Sequence, residues 1–150
     1  MLRLEAPLSE DLTLRAIRRW LAVSLLAGIA GTGVELLLIG HWEQATQYAP
    51  LVLLFAGLVA LTQHLVSPSR TSVRAVQVLM VLFVATGGVG IGLHARGNEE
   101  FERELHPANS GWALLMETLT GATPVLAPGS LSLLGLIGLA YVYRHPAARD

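Results

Sequence analysis

Residues 20–40 read WLAVSLLAGIAGTGVELLLIG, an apolar run interrupted by one carboxylate, Glu35. Its length matches the roughly 20 residues that an α-helix needs to cross a hydrocarbon layer about 30 Å thick. It lacks the period-two alternation of a membrane-barrel strand. Read as a helical crossing, it brings three further segments into register: Pro50–Val66, Ala75–Leu93 and Val125–Tyr143. The expected fold is an all-α membrane protein, a four-transmembrane-helix bundle. Residues 1–150 then form one four-span domain, with spans at about 20–40, 50–66, 75–93 and 125–143.

Composition supports this class. Of 150 residues, 53% are hydrophobic and 14% charged, against about a quarter charged in an ordinary soluble domain. Mean hydropathy is +0.55. The absence of cysteine excludes disulfides, thiolate catalysis and cysteine-ligated metal centres. No serine–histidine–aspartate order and no basic patch suited to nucleic acid is present. The first span is not expected to be a cleaved leader, because Glu5, Glu10 and Asp11 precede it and no small-residue cleavage site closes a short apolar core. Ser9 reads as a helix N-cap with Glu10 and Asp11 in the first turn.

Threading four spans places Arg3, Arg15, Arg18, Arg19, Arg70, Arg74, Arg144 and Arg149 on one side, eight of the ten basic residues. The other side receives Glu43, Glu99, Glu100, Glu102, Glu104 and Glu117 with only Arg96 and Arg103. By the positive-inside rule the arginine-rich side is cytoplasmic, with both termini on that side. The compactness of the chain suggests a cytoplasmic (inner) membrane of bacterial type. SPSRTS, 67–72, reads as a hairpin turn. On the acidic side the third helix is expected to continue past the bilayer to Pro107. A short interfacial helix follows, with Ser110 as its cap and Trp112, Leu115, Met116 and Leu119 at helical spacing. Pro124 can open the fourth span, while Pro128 should kink it or delay its start.

Helical geometry lines Glu35 up with Gly31 and Ala27, beside Ser24 and Gly28. Small residues mark close helix approach, so the carboxylate is expected to point into the bundle. His41 lies six residues further out, about 9 Å along the axis. A matching stripe on the third helix holds Thr86, Gly90, His94, Asn98 and Glu102. Imidazoles and carboxylates from facing helices suit a divalent metal, which gives Glu35, His41, His94, Asn98 and Glu102 as candidate ligands. Glu43, Glu99, Glu100 and His106 lie near the same boundary. A second reading ligates haem between His41 and His94, with Gly40 or Gly90 making room, and a further haem between His64 and His145. The plain alternative leaves the histidines as interfacial residues and Glu35 hydrogen-bonded to a neighbour.

The expected function is that of a small integral membrane accessory or structural subunit, non-catalytic, carrying a Glu/His metal site at its outer face. The alternatives are a bis-histidine haem electron carrier and an oligomeric transporter using Glu35 as a proton or cation relay. Its expected partners are the lipid bilayer and other membrane subunits or further copies of itself.

Overall fold

A computed structural model describes residues 5–148, with side chains from Asp11 onward. Arg3 and Arg149, counted above, lie outside that range. Among the described residues all regular structure is helical: α1 (Glu5–Leu38), α2 (Tyr48–Val66), α3 (Arg70–Leu105), α4 (Gly111–Thr120) and α5 (Gly129–Val142), with 3₁₀ turns at Ala45–Gln47 and Pro146–Ala148. Three helices are long and apolar enough to cross a membrane: α1, α2 with its 3₁₀ lead-in, and α3.

The boundaries have local causes. α1 is already helical at Glu5, so Ser9 lies inside it rather than capping it. It ends in a Schellman motif: His41 N–H donates to Leu36 O at 2.9 Å and Gly40 N–H to Leu37 O at 3.2 Å. Gly40 adopts φ +69°, a conformation open to glycine at little cost. Only Ser67–Ser69 separate α2 from α3, as a hairpin requires. Ser69 caps α3 reciprocally with Ser72: Ser72 N–H donates to Ser69 Oγ at 3.1 Å and Ser69 N–H to Ser72 Oγ at 2.9 Å. α3 runs on to Leu105, as expected from Pro107 downstream.

The fourth apolar segment is shorter than the sequence suggested. α5 has 14 residues, about 21 Å of helix. Residues 125–128 form turns instead, and Pro128 stands at the N-cap. A proline offers no N–H for an i→i−4 bond and crowds the preceding turn, so the helix begins just after it.

α1, α2, α3 and α5 pack as a ring, each against two neighbours. Leu25 and Ile29 of α1, Leu61 of α2, and Val76, Met80 and Phe83 of α3 are fully buried at its centre. Glycines set the tight contacts. A Cβ on Gly135 of α5 would lie 2.6 Å from Met80 O, and one on Gly87 of α3 would lie 2.6 Å from Ser132 N. Gly57 of α2 makes room for the Phe83 ring. Around this core a belt of large apolar side chains faces outward, Val52, Phe55, Val78 and Leu133 among them. α4 packs on the extension of α3 through buried Leu114 and Thr118, leaving Trp112, Leu115, Met116 and Leu119 exposed.

Candidate functional site

Polar side chains gather at the two ends of the bundle. At the acidic end, Asn98 is buried and fully bonded. Its Nδ2 donates to Thr118 O at 3.0 Å and to Thr123 O at 2.7 Å, and its Oδ1 accepts from Thr123 N–H at 3.1 Å. One turn further out, Glu102 Oε1 accepts from Asn109 Nδ2 at 3.0 Å and sits 2.6 Å from His106 Nδ1. These two side chains of α3 therefore fasten the segment that returns through α4. Helical spacing placed Asn98 and Glu102 on one stripe, but it gave no sign that their partners would be backbone and side-chain groups 4 to 25 residues downstream.

His94 projects from the same stripe. Its Nδ1 lies 3.0 Å from Pro124 O, an atom without a proton, so Nδ1–H donates. His41 is close enough to feel it: burial and the neighbouring His94 hold the His41 imidazole below its usual range. The two histidines expected to meet at this end thus lie in one electrostatic neighbourhood.

Glu35 does not join them inside the bundle. It is exposed, as are Ala27 and Gly31 above it, and a Cβ on Gly31 would meet nothing within 4 Å. The expectation that Glu35 points inward is overturned by the face α1 buries, which carries Ala22, Leu25 and Ile29. Six residues after Ile29, Glu35 is rotated about 120° from that face. The small residue that does admit a neighbour is Gly28, under Leu134 of α5. Among the described residues, no three of histidine, aspartate and glutamate are arranged to hold a metal ion. With Asn98 and Glu102 bonded elsewhere and Glu35 outside, a ligand at this end would rest on His41 and His94.

At the arginine-rich end, where the sequence paired His64 with His145, the structure adds Ser72 and Tyr141 to the cluster. His64 is 1% exposed, and its Nδ1 lies 2.8 Å from Ser72 Oγ. The Ser72 hydroxyl already donates to Ser69 O at 2.9 Å, so the imidazole Nδ1–H is the donor between them. That leaves His64 Nε2 as a buried lone pair with no hydrogen-bond partner among the described residues. The His145 ring stands edge-on to it, centroids 4.7 Å apart, and Tyr141 touches both rings. A porphyrin plane cannot fit between rings so close, so the second haem expected between His64 and His145 is excluded. Ala147 N–H donates to His145 Nδ1 at 3.3 Å, which puts the neutral ring's proton on Nε2. Burial, His64 and Arg18 hold His145 below the usual imidazole range.

Arg18 of α1 donates to Arg144 O at 3.2 Å and Tyr143 O at 3.4 Å, tying the end of α5 to α1. Arg144 there has φ +47°, a left-handed conformation unusual for a side-chain-bearing residue. The available signal for this cluster was depth. His64 and Ser72 flank one hairpin turn, and Tyr141 and His145 close the last apolar segment on the same side.

No family model matches the chain, and comparison with curated proteins and with solved structures finds no match.

Proposed function

We propose that this protein is a non-catalytic integral membrane accessory subunit that works by lateral association, with α1 as its docking helix. The single observation that carries this reading is Glu35, exposed on α1 below Ala27 and Gly31, with no hydrogen bond or ion pair to another side chain among the described residues. An ionised side chain at bilayer depth costs roughly 2.5–3.5 kcal/mol even on lenient scales, and such residues face protein or water. Small residues permit a second helix to approach. Together they describe a seat for a foreign helix that presents a cation or a hydrogen-bond donor. A second copy of this chain would instead set Glu35 against Glu35 across a two-fold axis, like charge against like.

The outward belt of large apolar side chains and the three span-length helices support the membrane setting. In this reading α5, with Val125–Pro128 before it, completes a fourth crossing. The arginine asymmetry then orients both termini to the cytoplasm.

A photo-crosslinking residue at Gly31, tested in intact membranes, checks the assignment. The expected product is one adduct of defined mass with another membrane protein, absent when the crosslinker stands at Phe55 and lost on Glu35→Leu. No adduct from Gly31, or self-adducts alone, would overturn it. The relay alternative turns on the same residue and separates on Glu35→Gln. Glutamine keeps a hydrogen-bonding amide for a docking partner but cannot carry a proton, so a relay would stop while docking persists.

A further inference from the structure

On the membrane reading above, one groove at the arginine-rich end has the build of a ligand site. It encloses about 390 Å³ between α1 and the ends of α2 and α5, within the range of small-molecule sites. One wall comes from α1, where Arg15, Arg18 and Arg19 share a face at spacings of three and four. One and two turns deeper the same wall turns apolar, through Val23 and Leu26, with Leu65 of α2 across the gap. Tyr141 and His145 close the remaining side.

The charge pattern is one-sided. Among the described residues no carboxylate lines the groove, and none of the three arginines pairs with an acid. Arg18 is partly engaged by the carbonyls of Tyr143 and Arg144. Arg15 and Arg19 are exposed and form no ion pair among the described residues. His145, its Nδ1 occupied by Ala147, adds an Nε2–H donor. Donors at the mouth and an apolar lining below match a molecule with an anionic head and a hydrocarbon tail. Trp20, 70% exposed beside Arg19, sits where interfacial aromatics anchor a helix at headgroup depth.

We infer that this groove binds an anionic phospholipid, its phosphate held by Arg15 and Arg19 and one acyl chain laid along Val23, Leu26 and Leu65. Basic pockets between membrane helices on the cytoplasmic side are a known solution for phosphate headgroups. The geometry here adds the apolar floor, which a soluble phosphate would not use. Arg70 and Arg74 lie at the same end but do not line the groove, and they serve as an internal control.

The test is native mass spectrometry of the full chain in dodecyl maltoside, titrated with phosphatidylglycerol or phosphatidylcholine. The wild type should retain one phosphatidylglycerol and shed phosphatidylcholine. Arg15→Gln with Arg19→Gln should weaken retention about tenfold or more, while Arg70→Gln with Arg74→Gln should leave it within about twofold. Val23→Trp, which fills the apolar floor without changing charge, should weaken retention comparably. Arg18 stays native throughout, because its bonds to α5 are structural. Equal losses from both arginine pairs would reduce the effect to surface charge and overturn the proposal, as would a wild type that retains no lipid. Displacement of phosphatidylglycerol by millimolar inorganic phosphate would assign the groove to a soluble anion and overturn the lipid assignment. Resistance of the protein to alkaline carbonate extraction tests the membrane reading separately. A chain that resists extraction yet binds no lipid loses this inference alone.

Discussion

The two ends of the bundle hold similar residue types and use them differently. At the acidic end, Asn98 and Glu102 find their partners within the chain and fasten the segment around α4. At the arginine-rich end Arg18 bonds the end of α5, but Arg15 and Arg19 face a groove that no described carboxylate lines, and the buried His64 Nε2 has no partner among the described residues. The difference is one of connection. Residues 106–128 fold back over the acidic end and supply carbonyls to bond, whereas Ser67–Ser69 are too short to cover the other. A polar side chain becomes structural where chain is available to meet it, and it stays open to other molecules where chain is not.

The largest effect expected from this contrast follows Asn98→Leu. The change strips a buried donor–acceptor pair and leaves Thr118 O, Thr123 O and Thr123 N–H without their partner. The buried Thr118 O left unsatisfied costs about 1–3 kcal/mol and each part-buried bond to exposed Thr123 adds about 0.5–1.5 kcal/mol, so a loss of about 3 kcal/mol is expected. Thermal unfolding measures the total, and proteolysis within 106–124 should accelerate. An Asn98→Leu protein as stable as wild type would show that the acidic end is not held by this residue.

Next in size is Gly135→Ala on α5. The added Cβ would meet Met80 O at 2.6 Å and Val84 N at 2.9 Å, backbone atoms that cannot swing aside. Overpacking of this kind costs about 1–3 kcal/mol. Gly31→Ala on the open face of α1, where a Cβ meets nothing, should by contrast be neutral or slightly stabilising in the isolated protein. Equal melting shifts for the two would dissolve the distinction between a face packed within the chain and one left open.

Acid distinguishes the ends more gently. His145 and His41 both have imidazoles held below the usual 6.5, chiefly by burial. A base with a lowered native pKa binds fewer protons folded than unfolded, so protons favour unfolding. The stabilising contribution is whole above about pH 6.5, declines as pH falls toward the native value and is lost below it. Melting temperature should therefore drop between pH 7 and pH 5. His145→Gln should flatten the share due to the arginine-rich end, and His41→Gln the share due to the acidic end. A profile that neither variant alters would remove both histidines from the account. The smallest effect belongs to Arg103→Gln, which breaks an exposed i,i+4 pair with Glu99 at 2.8 Å worth at most about half a kcal/mol.

Much of this architecture was legible in the chain. Apolar run lengths placed α1, α2 and the membrane-length part of α3, and Pro107 placed the end of the α3 extension. Span four was drawn from Val125 on hydropathy, while Pro128 was read as kinking it or delaying its start; the helix does begin just after Pro128, at Gly129. The direction of Glu35 was misread for a deeper reason. Small residues announce that a helix can approach, but not that the helix belongs to the same chain. In α1 it was Gly28, not Gly31, that received a neighbour from within. The histidine–tyrosine cluster needed the third dimension. His64, Ser72 and Tyr141 come from three helices and His145 from the stretch after α5; depth paired the two histidines, but no one-dimensional spacing relates all four.

The Glu35 face of α1 lies outside this protein's own bundle, and that placement can be measured directly. The chain has no cysteine, so a single Gly31→Cys substitution carries a spin label with no background. In purified protein reconstituted in bilayers, the label should be mobile and open to oxygen dissolved in the lipid. A label on Thr118→Cys at the fastened acidic end should be immobile and shielded from it. An immobilised, oxygen-inaccessible label at residue 31 in a monomeric preparation would mean that this face packs within its own bundle, and would contradict the account.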